Sequence, residues 1–550
     1  MKNTIQKWLV IILGSITWSW TIVKSGWFYS SLGTNGSGLG FWGANGHDGI
    51  WHIALSESLS RGSLLMPIFA GAPLQNYHIG FDLILAFLNR VTSIPMHNLY
   101  FQILPPIFAV LIGILTYKFV LSWTKSDVSA FWATLFVYFG GGFGWITGHG
   151  ESAFWSQQAI STLINPPFAL SLIFLLLGLL LLSKLEKKFT LLNFILAILV
   201  FGCLIEIKVY AGVLGLGALL VTGIYSFVSQ KKFDILKVFI GSLLLSLMLY
   251  LPLNKSSVGL LAFQPFWFLE TMMGMSDRIG WAKFYSAMLT YKSGHVWIKA
   301  VAAYSLAFAI FIIGNFGTRI IFLMKKIKLN QLNVFIYSII GAGIVIPMLF
   351  LQKGTPWNTI QFFYYSLFFS SILAGIVVSQ IKNKLILFVV AILTIPTTII
   401  TLKDVYIPSR PPAMLPVDEI SALDFLSKQP KGTVLTKPFD EIASKAAENN
   451  PPRPLYLYAS TAYVSAFSKH QTFLEDEINL DITSYDWRER REKVLNWYKE
   501  DDLQIKRDFL RENNIKYIYW IKSGVSPLDL EKLFLSNVYE NNLITIYQVE

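Results

Sequence analysis

Long apolar stretches recur along this chain up to residue 402, separated by short polar segments. The hydrocarbon core of a bilayer requires about 20 consecutive apolar residues per transmembrane helix, and about eleven stretches approach that length. They lie near residues 8–24, 100–122, 128–145, 166–183, 189–205, 208–228, 235–252, 298–322, 332–351, 359–381 and 384–402. The sequence therefore predicts a polytopic α-helical membrane region over residues 1–402.

The composition is far from that of a soluble enzyme of this length. Of the 550 residues, 54% are apolar and only 14% are charged, and the mean hydropathy is +0.52. The net charge of +12 comes from Lys and Arg clustered between apolar stretches, which is typical of membrane topology and not of nucleic-acid binding. The single cysteine, Cys203, excludes an intrachain disulfide and makes a cysteine-based metal site unexpected.

The basic clusters predict the orientation of the spans, because cytoplasmic loops carry an excess of Lys and Arg. Lys2 and Lys7 precede the first span, which has no small-residue cleavage site and is interpreted as an uncleaved anchor. An odd number of spans then places the C-terminal region outside the cytoplasm, and we expect a multi-pass protein of the cytoplasmic (plasma) membrane. Every turn assigned to the cytoplasm is basic. In chain order the five turns contain Lys118 and Lys125; Lys184, Lys187 and Lys188; Lys231 and Lys232; Lys325, Lys326 and Lys328; and Lys382 and Lys384.

The same topology leaves a large first external loop at residues 25–99. Two stretches in it, Trp51–Arg61 and His78–Arg90, have an amphipathic pattern. Residues 78–94 are interpreted as an external helix on the membrane surface, since a further span there would place the Lys184–Lys188 cluster outside. The other predicted external segments are residues 146–165, 253–297 and 352–358.

Residues 403–550 hold most of the acidic residues of the chain and predict an extracytoplasmic α/β domain. Helical patterns cover Asp418–Ser427 and the long charged stretch Trp487–Asn513. Strand patterns cover Gly432–Lys437, Ile515–Ile521 and Leu543–Tyr547. No phosphate-binding loop, nucleophile elbow or metal-ligand spacing occurs in it, so scaffolding or substrate binding is its expected role.

The ionisable residues of the membrane region gather on the predicted external side. All seven histidines lie there, and Asp127, Glu186 and Asp234 at cytoplasmic turns fit caps or charge partners. The external histidines are His47, His52, His78, His97, His149, His295 and His470, and the external acids of the membrane region are Asp48, Glu57, Asp82, Glu151, Glu206, Glu270 and Asp277.

The densest group is Gly43-Ala-Asn-Gly-His-Asp-Gly-Ile-Trp-His52, directly after the first span. Asp48 and His52 share one face of a helix that begins near Asp48, and His78 and Asp82 repeat the spacing in reverse order. A helix cap at Asp48 and headgroup-layer histidines would explain the same residues without any catalytic role.

The layout resembles that of the C-type (GT-C) membrane glycosyltransferases, which include protein O-mannosyltransferases, aminoarabinose transferases and oligosaccharyltransferases. The shared features are many spans, an acid at a short helix in the first external loop, the Pro-containing turn Ala72–Asp82 and a terminal α/β domain. The resemblance implies an enzyme that moves a sugar from a polyprenyl-phosphate-linked donor to an acceptor at the outer face, with inversion at the anomeric carbon.

The resemblance also implies roles for individual residues. Asp48 matches the first-loop acid and would be the general base. Many members carry two adjacent acids in this loop, whereas here Gly49 follows Asp48, and Glu151 is the nearest analogue of the second-loop acids. A divalent metal held by Asp48, Glu151 and His149 is one option that this leaves open, with an interfacial helix start as the plain alternative for Glu151.

A donor phosphate requires positive charge, and two lysines near the outer face are candidates, Lys208 and Lys353. Either is also explained as an interfacial anchor, and Arg278 and Lys283 are weaker candidates of the same kind. The remaining substrate-binding candidates are His47, His52, His78, Asp82 and Gln361.

Two other functions fit the same sequence. A transporter or flippase of lipid-linked sugars would place ionisable residues inside its spans, which are nearly free of them here. A non-catalytic envelope scaffold would depend on residues 403–550 and not on Asp48. The acceptor and the sugar are not specified by any of these patterns.

Overall fold

The computed structural model describes residues 2–30, 36–254, 261–325, 329–459, 461–522 and 535–550. Helices dominate up to residue 402, where apolar side chains and few prolines favour long regular segments. These helices are α1 Lys2–Trp20, α2 Asp48–Ser60, α3 Gly80–Thr92, α4 Met96–Asn98, α5 Leu104–Thr124, α6 Asp127–Phe139, α7 Pro166–Lys187, α8 Leu191–Ile207, α9 Val209–Gln230, α10 Asp234–Tyr250, α11 Trp267–Gly274, α12 Ala282–Ser293, α13 Trp297–Phe316, α14 Gln331–Leu349, α15 Gln361–Val378, α16 Lys384–Thr394 and α17 Pro396–Thr401.

Several of the predicted spans are present as helices long and apolar enough to cross a membrane. Among the described residues there are seven: Met96–Thr124, Pro166–Lys187, Val209–Gln230, Trp297–Met324, Gln331–Leu349, Pro356–Val378 and Lys384–Tyr406. The predicted spans 128–145 and 189–205 correspond to the shorter apolar helices α6 and α8. Those at 8–24 and 235–252 fall on α1 and α10, so the total of about eleven spans stays a prediction. Lys326 and Lys328 lie outside the described residues.

The predicted span 128–145 is too long, because α6 ends at Phe139. Three glycines follow it, and they allow the backbone to approach other helices closely. A Cβ at Gly142 would lie 2.6 Å from the carbonyl oxygen of Gly314 on α13, and Thr397 of α17 donates a hydrogen bond to the Gly142 carbonyl. Apolar length alone does not detect this break.

Helix α15 is the centre of the membrane region and packs between α6 and α14. Every side chain from Phe362 to Val378 except Tyr364 is buried. Glycines make the close contacts possible, since a Cβ at Gly375 would lie 2.2 Å from the backbone nitrogen of Ala133 on α6. On the other side Ser366 donates a hydrogen bond to the carbonyl of Ile340 on α14. Small residues at helix contacts are the usual basis of packing between membrane helices.

The first loop contains two helices that differ in exposure. Residues 49–59 of α2 are all buried, so the prediction of an amphipathic stretch there is wrong. Helices α3 and α20 (Tyr463–Ser468) and the turn at Leu99–Ile103 pack against α2, and residues 49–59 have no exposed face. Helix α3 does have an exposed apolar stripe, Leu83, Phe87 and Val91, and its 13 residues are too few for a span.

The C-terminal region, residues 403–550, contains the predicted mixture of helices and strands. Its helices are α18 Val417–Ser427, α19 Glu441–Ala447, α20, α21 Glu477–Ile482, α22 Arg488–Lys499 and α23 Leu503–Glu512. The strands of the whole chain are β1 Trp27–Ser30, β2 Ser37–Phe41, β3 Leu261–Phe263, β4 Phe350–Gln352, β5 Ala413–Pro416, β6 Thr433–Leu435, β7 Arg453–Pro454, β8 Gln471–Thr472, β9 Ile515–Ile521, β10 Leu535–Glu540 and β11 Ile544–Val549.

The strands form one mixed sheet within the terminal region and a second sheet that it shares with the first loop. The first has the order β10-β11-β9-β6-β8, with parallel pairs at β9-β6 and β6-β8. The second has the order β1-β2-β5-β7, and β2 pairs antiparallel with β5 so that Leu39 lies opposite Leu415. Strands β3 and β4 pair separately.

The predicted long helix Trp487–Asn513 is two helices. Helix α22 ends at Lys499, and Asp502 begins α23 by accepting hydrogen bonds from the backbone N–H groups of Gln504 and Ile505. Such capping by Asp satisfies donors at a helix start, and the helical periodicity on both sides conceals it.

We expect Gly375→Ala to destabilise the protein, because the added methyl group meets the backbone of α6. Overpacking of this kind costs about 1–3 kcal/mol. The measurement is the apparent Tm of the detergent-purified protein, and Gly217→Ala on α9 is the matched control, since a Cβ there meets no atom within 4 Å. Equal Tm values for the two variants would contradict the packing described for α15.

Candidate active site

A cavity of about 420 Å³ lies between the membrane helices, the first loop and helix α21. Each of the four predicted external segments contributes to its wall, namely through Asp48, Glu151, Arg278 and Trp357. Helix α21 of the terminal region adds Asn479. Segments that are far apart in the chain therefore meet at one place.

Asp48 is the first residue of α2, and its side chain is 49% exposed at the cavity wall. The N-cap position of this helix is occupied by His47, so Asp48 does not have the cap role that its sequence context allowed. The Nδ1 atom of His47 lies 3.1 Å from Oδ1 of Asp48. The carboxylate is thus paired on one side and open to the cavity on the other.

The surroundings of Asp48 keep it ionised. Burial raises the pKa of Asp48, but the hydrogen bond with His47 and the positive charges of His47, His52 and Lys208 outweigh it, and the pKa lies below its usual value. Burial lowers the pKa of His47, whereas the hydrogen bond with Asp48 and the charge of Asp48 raise it. The second effect is larger, so the pKa of His47 lies above its usual value. A carboxylate of this kind accepts a proton at neutral pH without further tuning.

Gly49 leaves no room for a second acid beside Asp48. A Cβ at position 49 would lie 2.7 Å from the ring of Phe101 and 3.0 Å from that of Tyr100. The start of α2 packs directly on these two buried rings, so the second acid of the cavity comes from another segment.

His52 and Asp82 form a buried pair behind the cavity wall. His52 Nδ1 lies 2.8 Å from Oδ1 of Asp82, and the side chains are 3% and 0% exposed. Ser56, one turn further along α2, donates to the same oxygen at 3.1 Å. The ring of His52 also stacks on Tyr100, with centroids 5.7 Å apart. Helix α3 is thereby joined to two turns of α2, which fixes the direction in which Asp48 points.

Glu151 lines the cavity from the 3-10 turn Gly150–Phe154. Its Oε1 accepts a hydrogen bond from the Ser161 hydroxyl at 2.6 Å, and its Oε2 accepts one from the backbone N–H of Gln158 at 3.1 Å. Burial raises the pKa of Glu151 to about 7, and these two hydrogen bonds oppose the rise. Glu151 therefore changes its protonation state near neutral pH, unlike Asp48.

Arg278 is a cation in the cavity wall. Its guanidinium lies 4.2 Å from the ring centroid of Trp155, and Nη1 lies 3.5 Å from Oδ2 of Asp277. Its Nε donor has no hydrogen-bond partner among the described residues. Arginine binds phosphate through several parallel donors, and an aromatic wall beside it reduces competition from water.

The two lysines that the sequence suggested as phosphate-binding residues, Lys208 and Lys353, do not line the cavity. Lys208 is buried behind the wall, and its Nζ donates to Oδ1 of Asn165, which lines the cavity, at 3.3 Å. Lys353 is exposed and is not part of the wall, although Trp357 and Asn358 from the same segment are.

The terminal region completes the cavity through α21. Asp476 has a left-handed backbone and caps this helix by accepting hydrogen bonds from the backbone and side-chain amides of Asn479. Burial raises the pKa of Asp476 to about 7 against these hydrogen bonds, and the charges of His47 and Asp48 act on it from the first loop. The terminal region is thus electrostatically coupled to the base candidate.

The structure divides the sequence-predicted residues into three groups. The cavity wall contains His47, Asp48, Glu151 and Gln361. The buried positions behind it contain His52, His78, Asp82 and Lys208. His149 and Lys353 are exposed outside the wall.

The metal set Asp48, Glu151 and His149 is not assembled. His149 is outside the wall, and the two oxygens of Glu151 already accept hydrogen bonds. In the described part of the chain, no group of three or more His, Cys, Asp or Glu side chains lies close enough to hold a metal ion. The residues present therefore do not fit this metal site.

Sequence reasoning ranked Arg278 below the lysines and did not identify Trp155 or Asn479. The sequence does contain a feature that favours Arg278 as a site residue. It lies in a predicted external segment rich in aromatic residues, on which a guanidinium can stack. Asn479 lies among many polar residues of the terminal region, and no local pattern distinguishes it.

The sequence of this chain matches no family model and no curated protein. The chain is similar to the archaeal oligosaccharyltransferase AglB from Archaeoglobus fulgidus in complex with an inhibitory peptide and a dolichol-phosphate, with a TM-score of 0.50 at 11% identity. The match covers 94% of this chain and 69% of that one.

A crystal structure of the Archaeoglobus fulgidus oligosaccharyltransferase tethered to an acceptor peptide with the NVT sequon gives the same TM-score of 0.50 at 10% identity. Its coverage is also 94% of this chain and 69% of that one. At such low identity the likeness concerns the fold. The chain therefore shares the fold of this oligosaccharyltransferase, in agreement with the fold that its sequence layout predicted.

Proposed function

We propose that this chain is a membrane glycosyltransferase that transfers a sugar from a polyprenyl-phosphate-linked donor to an acceptor hydroxyl. The observation that carries the proposal is a single cavity whose wall contains the ionised carboxylate of Asp48 and the guanidinium of Arg278. The fold supports it, and a structure with the same fold contains a dolichol-phosphate.

In the proposed reaction the isoprenoid tail of the donor stays in the bilayer and its phosphate is bound by Arg278. The acceptor hydroxyl loses its proton to Asp48 while its oxygen bonds to the anomeric carbon of the sugar. The bond between that carbon and the phosphate oxygen breaks, and its electron pair leaves with the polyprenyl phosphate. Direct displacement inverts the anomeric centre, and a positioned base of this type contributes about 10²–10⁴ to the rate.

The other wall residues have binding and supporting roles in this proposal. His47 keeps Asp48 ionised, and Gln361 and the carboxylate of Glu151 bind sugar hydroxyls. Lys208 contributes a buried positive charge behind the wall, and the pair His52–Asp82 holds α2. The support for these roles is the position of each side chain in or behind the wall and the hydrogen bond between His52 and Asp82.

We further propose that the cavity faces the outer side of the cytoplasmic membrane, with the N-terminus inside and residues 403–550 outside. The support is that all four segments predicted to be external contribute to this one cavity. The described residues of the Lys-rich turns assigned to the cytoplasm contribute no side chain to it.

Asp48→Asn is expected to reduce donor turnover by about 10²–10⁴, since the amide cannot accept the acceptor proton. The measurement is release of polyprenyl phosphate from a panel of polyprenyl-phosphate sugars by the purified protein. Asp404→Asn is the matched control, because Asp404 is exposed and outside the cavity wall.

Full turnover by Asp48→Asn at normal membrane abundance would contradict the assignment of Asp48 as the general base. Absence of turnover of every donor by the wild type would contradict the enzyme proposal and favour the flippase or scaffold alternatives. Product that retains the donor's anomeric configuration, identified by NMR, would contradict direct displacement while leaving the transferase assignment intact.

His47→Gln is expected to move the lower acid limb of kcat/KM, which belongs to Asp48 and lies below that of Glu151, to higher pH. In the wild type His47 lowers the pKa of Asp48, so the base stays ionised until the pH falls below the usual Asp range of about 4. Without the imidazole the effect of burial is less opposed and the pKa of Asp48 rises. The pH profile from 4 to 8 tests this, and an unmoved limb would show that His47 does not control Asp48.

Arg278→Gln is expected to raise the KM for the donor roughly 10- to 100-fold, the equivalent of about 1.5–3 kcal/mol for a lost charged hydrogen bond. Lys353→Gln is the comparison variant and should leave this KM within about twofold, because Lys353 lies outside the wall. The reverse order of effects would place the donor phosphate at the turn that carries Lys353.

A further inference from the structure

Arg319 is a buried arginine that the proposed reaction does not use. It lies in the 3-10 turn Gly317–Met324 directly after α13, and it is 1% exposed. None of the ion pairs formed between described residues includes it. An ionisable side chain inside an apolar helical segment is costly unless its donors are satisfied, so such a residue requires an explanation.

Oxygen atoms at the end of α13 satisfy part of the guanidinium. Nε donates to the carbonyl of Phe316 at 3.0 Å, and Nη2 donates to the carbonyl of Asn315 at 2.6 Å. The C-terminal carbonyls of a helix carry partial negative charge, which stabilises a cation placed there. The arginine therefore caps α13 and is held in place by it.

The remaining contact of Arg319 is with the segment that carries Glu151. Nη2 donates a hydrogen bond to Oε1 of Gln158, whose side chain is 4% exposed. The backbone N–H of Gln158 in turn donates to Oε2 of Glu151 at 3.1 Å. A chain of two hydrogen bonds thus leads from a buried arginine to a carboxylate of the cavity wall.

Two further contacts join the same segment to the end of α13. Asn315 donates a hydrogen bond to the carbonyl of Phe154 at 3.0 Å, and the backbone N–H of Phe143 donates to the carbonyl of Gly314 at 2.6 Å. The ring of Phe154 also covers Gly314, where a Cβ would lie 2.5 Å from it. The end of α13 is therefore the support on which residues 143–158 rest.

We propose that Arg319 is a positioning residue that holds residues 151–158 in place and so sets the position of Glu151 in the cavity. It touches neither the cavity that contains Asp48 nor any group proposed to contact the substrate. The role of Glu151 rests on the proposed function, whereas the position of the segment does not.

The first test measures the position of the segment without any assay of transfer. In a Cys203→Ser background, Ser152→Cys places one thiol on the exposed wall residue Ser152, and its labelling rate with a membrane-impermeant maleimide is measured. Arg319→Gln is expected to change this rate by about fivefold or more. Lys353→Cys is the matched control site, since the hydrogen bonds of Arg319 go to Phe316, Asn315 and Gln158 and not to the segment of Lys353.

A changed rate at position 152 with an unchanged rate at position 353 supports the proposal. Equal rates at position 152 with and without Arg319→Gln overturn it. Changed rates at both positions would show general unfolding and also overturn it. Each result stands even if the wild-type protein turns over no donor and is not a transferase.

A second pair of variants protects the test against misfolding of Arg319→Gln. Gln158→Leu removes the acceptor and should give the same labelling change, whereas Gln158→Glu keeps an acceptor for the guanidinium and should give the wild-type rate. The double variant Arg319→Gln with Gln158→Leu should be no worse than either single variant, since both break one link. Additive effects would show that the two residues act separately.

Transfer activity provides a third measurement. If Glu151 must be ionised to bind the sugar, kcat/KM rises with pH through a value near 7 in the wild type. Arg319→Gln should displace that limb because the Gln158 N–H is no longer held on Glu151, and Glu151→Gln should remove it. A limb that Arg319→Gln leaves in place overturns the link to Glu151.

Discussion

The hydrogen bond between His52 and Asp82 joins α2 to α3, and the position of Asp48 depends on it. Asp82 is completely buried, and leaving one partner of a buried hydrogen bond unsatisfied typically costs about 1–3 kcal/mol. Helix α3 is fixed in its turn, because the backbone N–H of Ile79 donates to Oε2 of Glu206 at the end of α8. A continuous set of polar contacts thus runs from a membrane helix through two loop helices to the cavity.

Three carboxyl groups near this cavity differ in protonation because their partners differ. Asp48 has an imidazole beside it and further cations nearby, so its pKa is lowered despite burial. Glu151 and Asp476 accept hydrogen bonds from neutral groups only, and burial raises their pKa values to about 7. The cavity wall therefore contains one carboxylate that is ionised at neutral pH and one carboxyl group that titrates there, and Asp476 beside the cavity titrates in the same range. The environment of each group distinguishes them.

The terminal region is part of the cavity and not only an appendage. Strand β2 of the first loop pairs with β5, and Asn45 and Trp42 beside it are held by Ser25, so the loop and the terminal region share a sheet next to Asp48. Helix α21 then supplies Ile478, Asn479 and Ile482 to the wall. In the proposed function these residues lie where an acceptor would approach Asp48, which gives the terminal region a part in binding.

Local properties of the sequence determined three features of this protein. The length of the apolar stretches predicted the helical membrane region, and the alternation of residues predicted the strand Ile515–Ile521. The scarcity of acids in the membrane region identified Asp48, which lies in the cavity wall, as a site candidate. Tertiary structure decided the rest. The glycines after Phe139 end α6 only because other helices approach there, and His52 faces Asp82 and not the cavity because α3 packs on α2. Arg278 lies in the cavity wall and Lys353 does not. Whether a side chain reaches a site depends on which distant segments of the chain pack around it, and the neighbouring residues in the sequence do not contain this information.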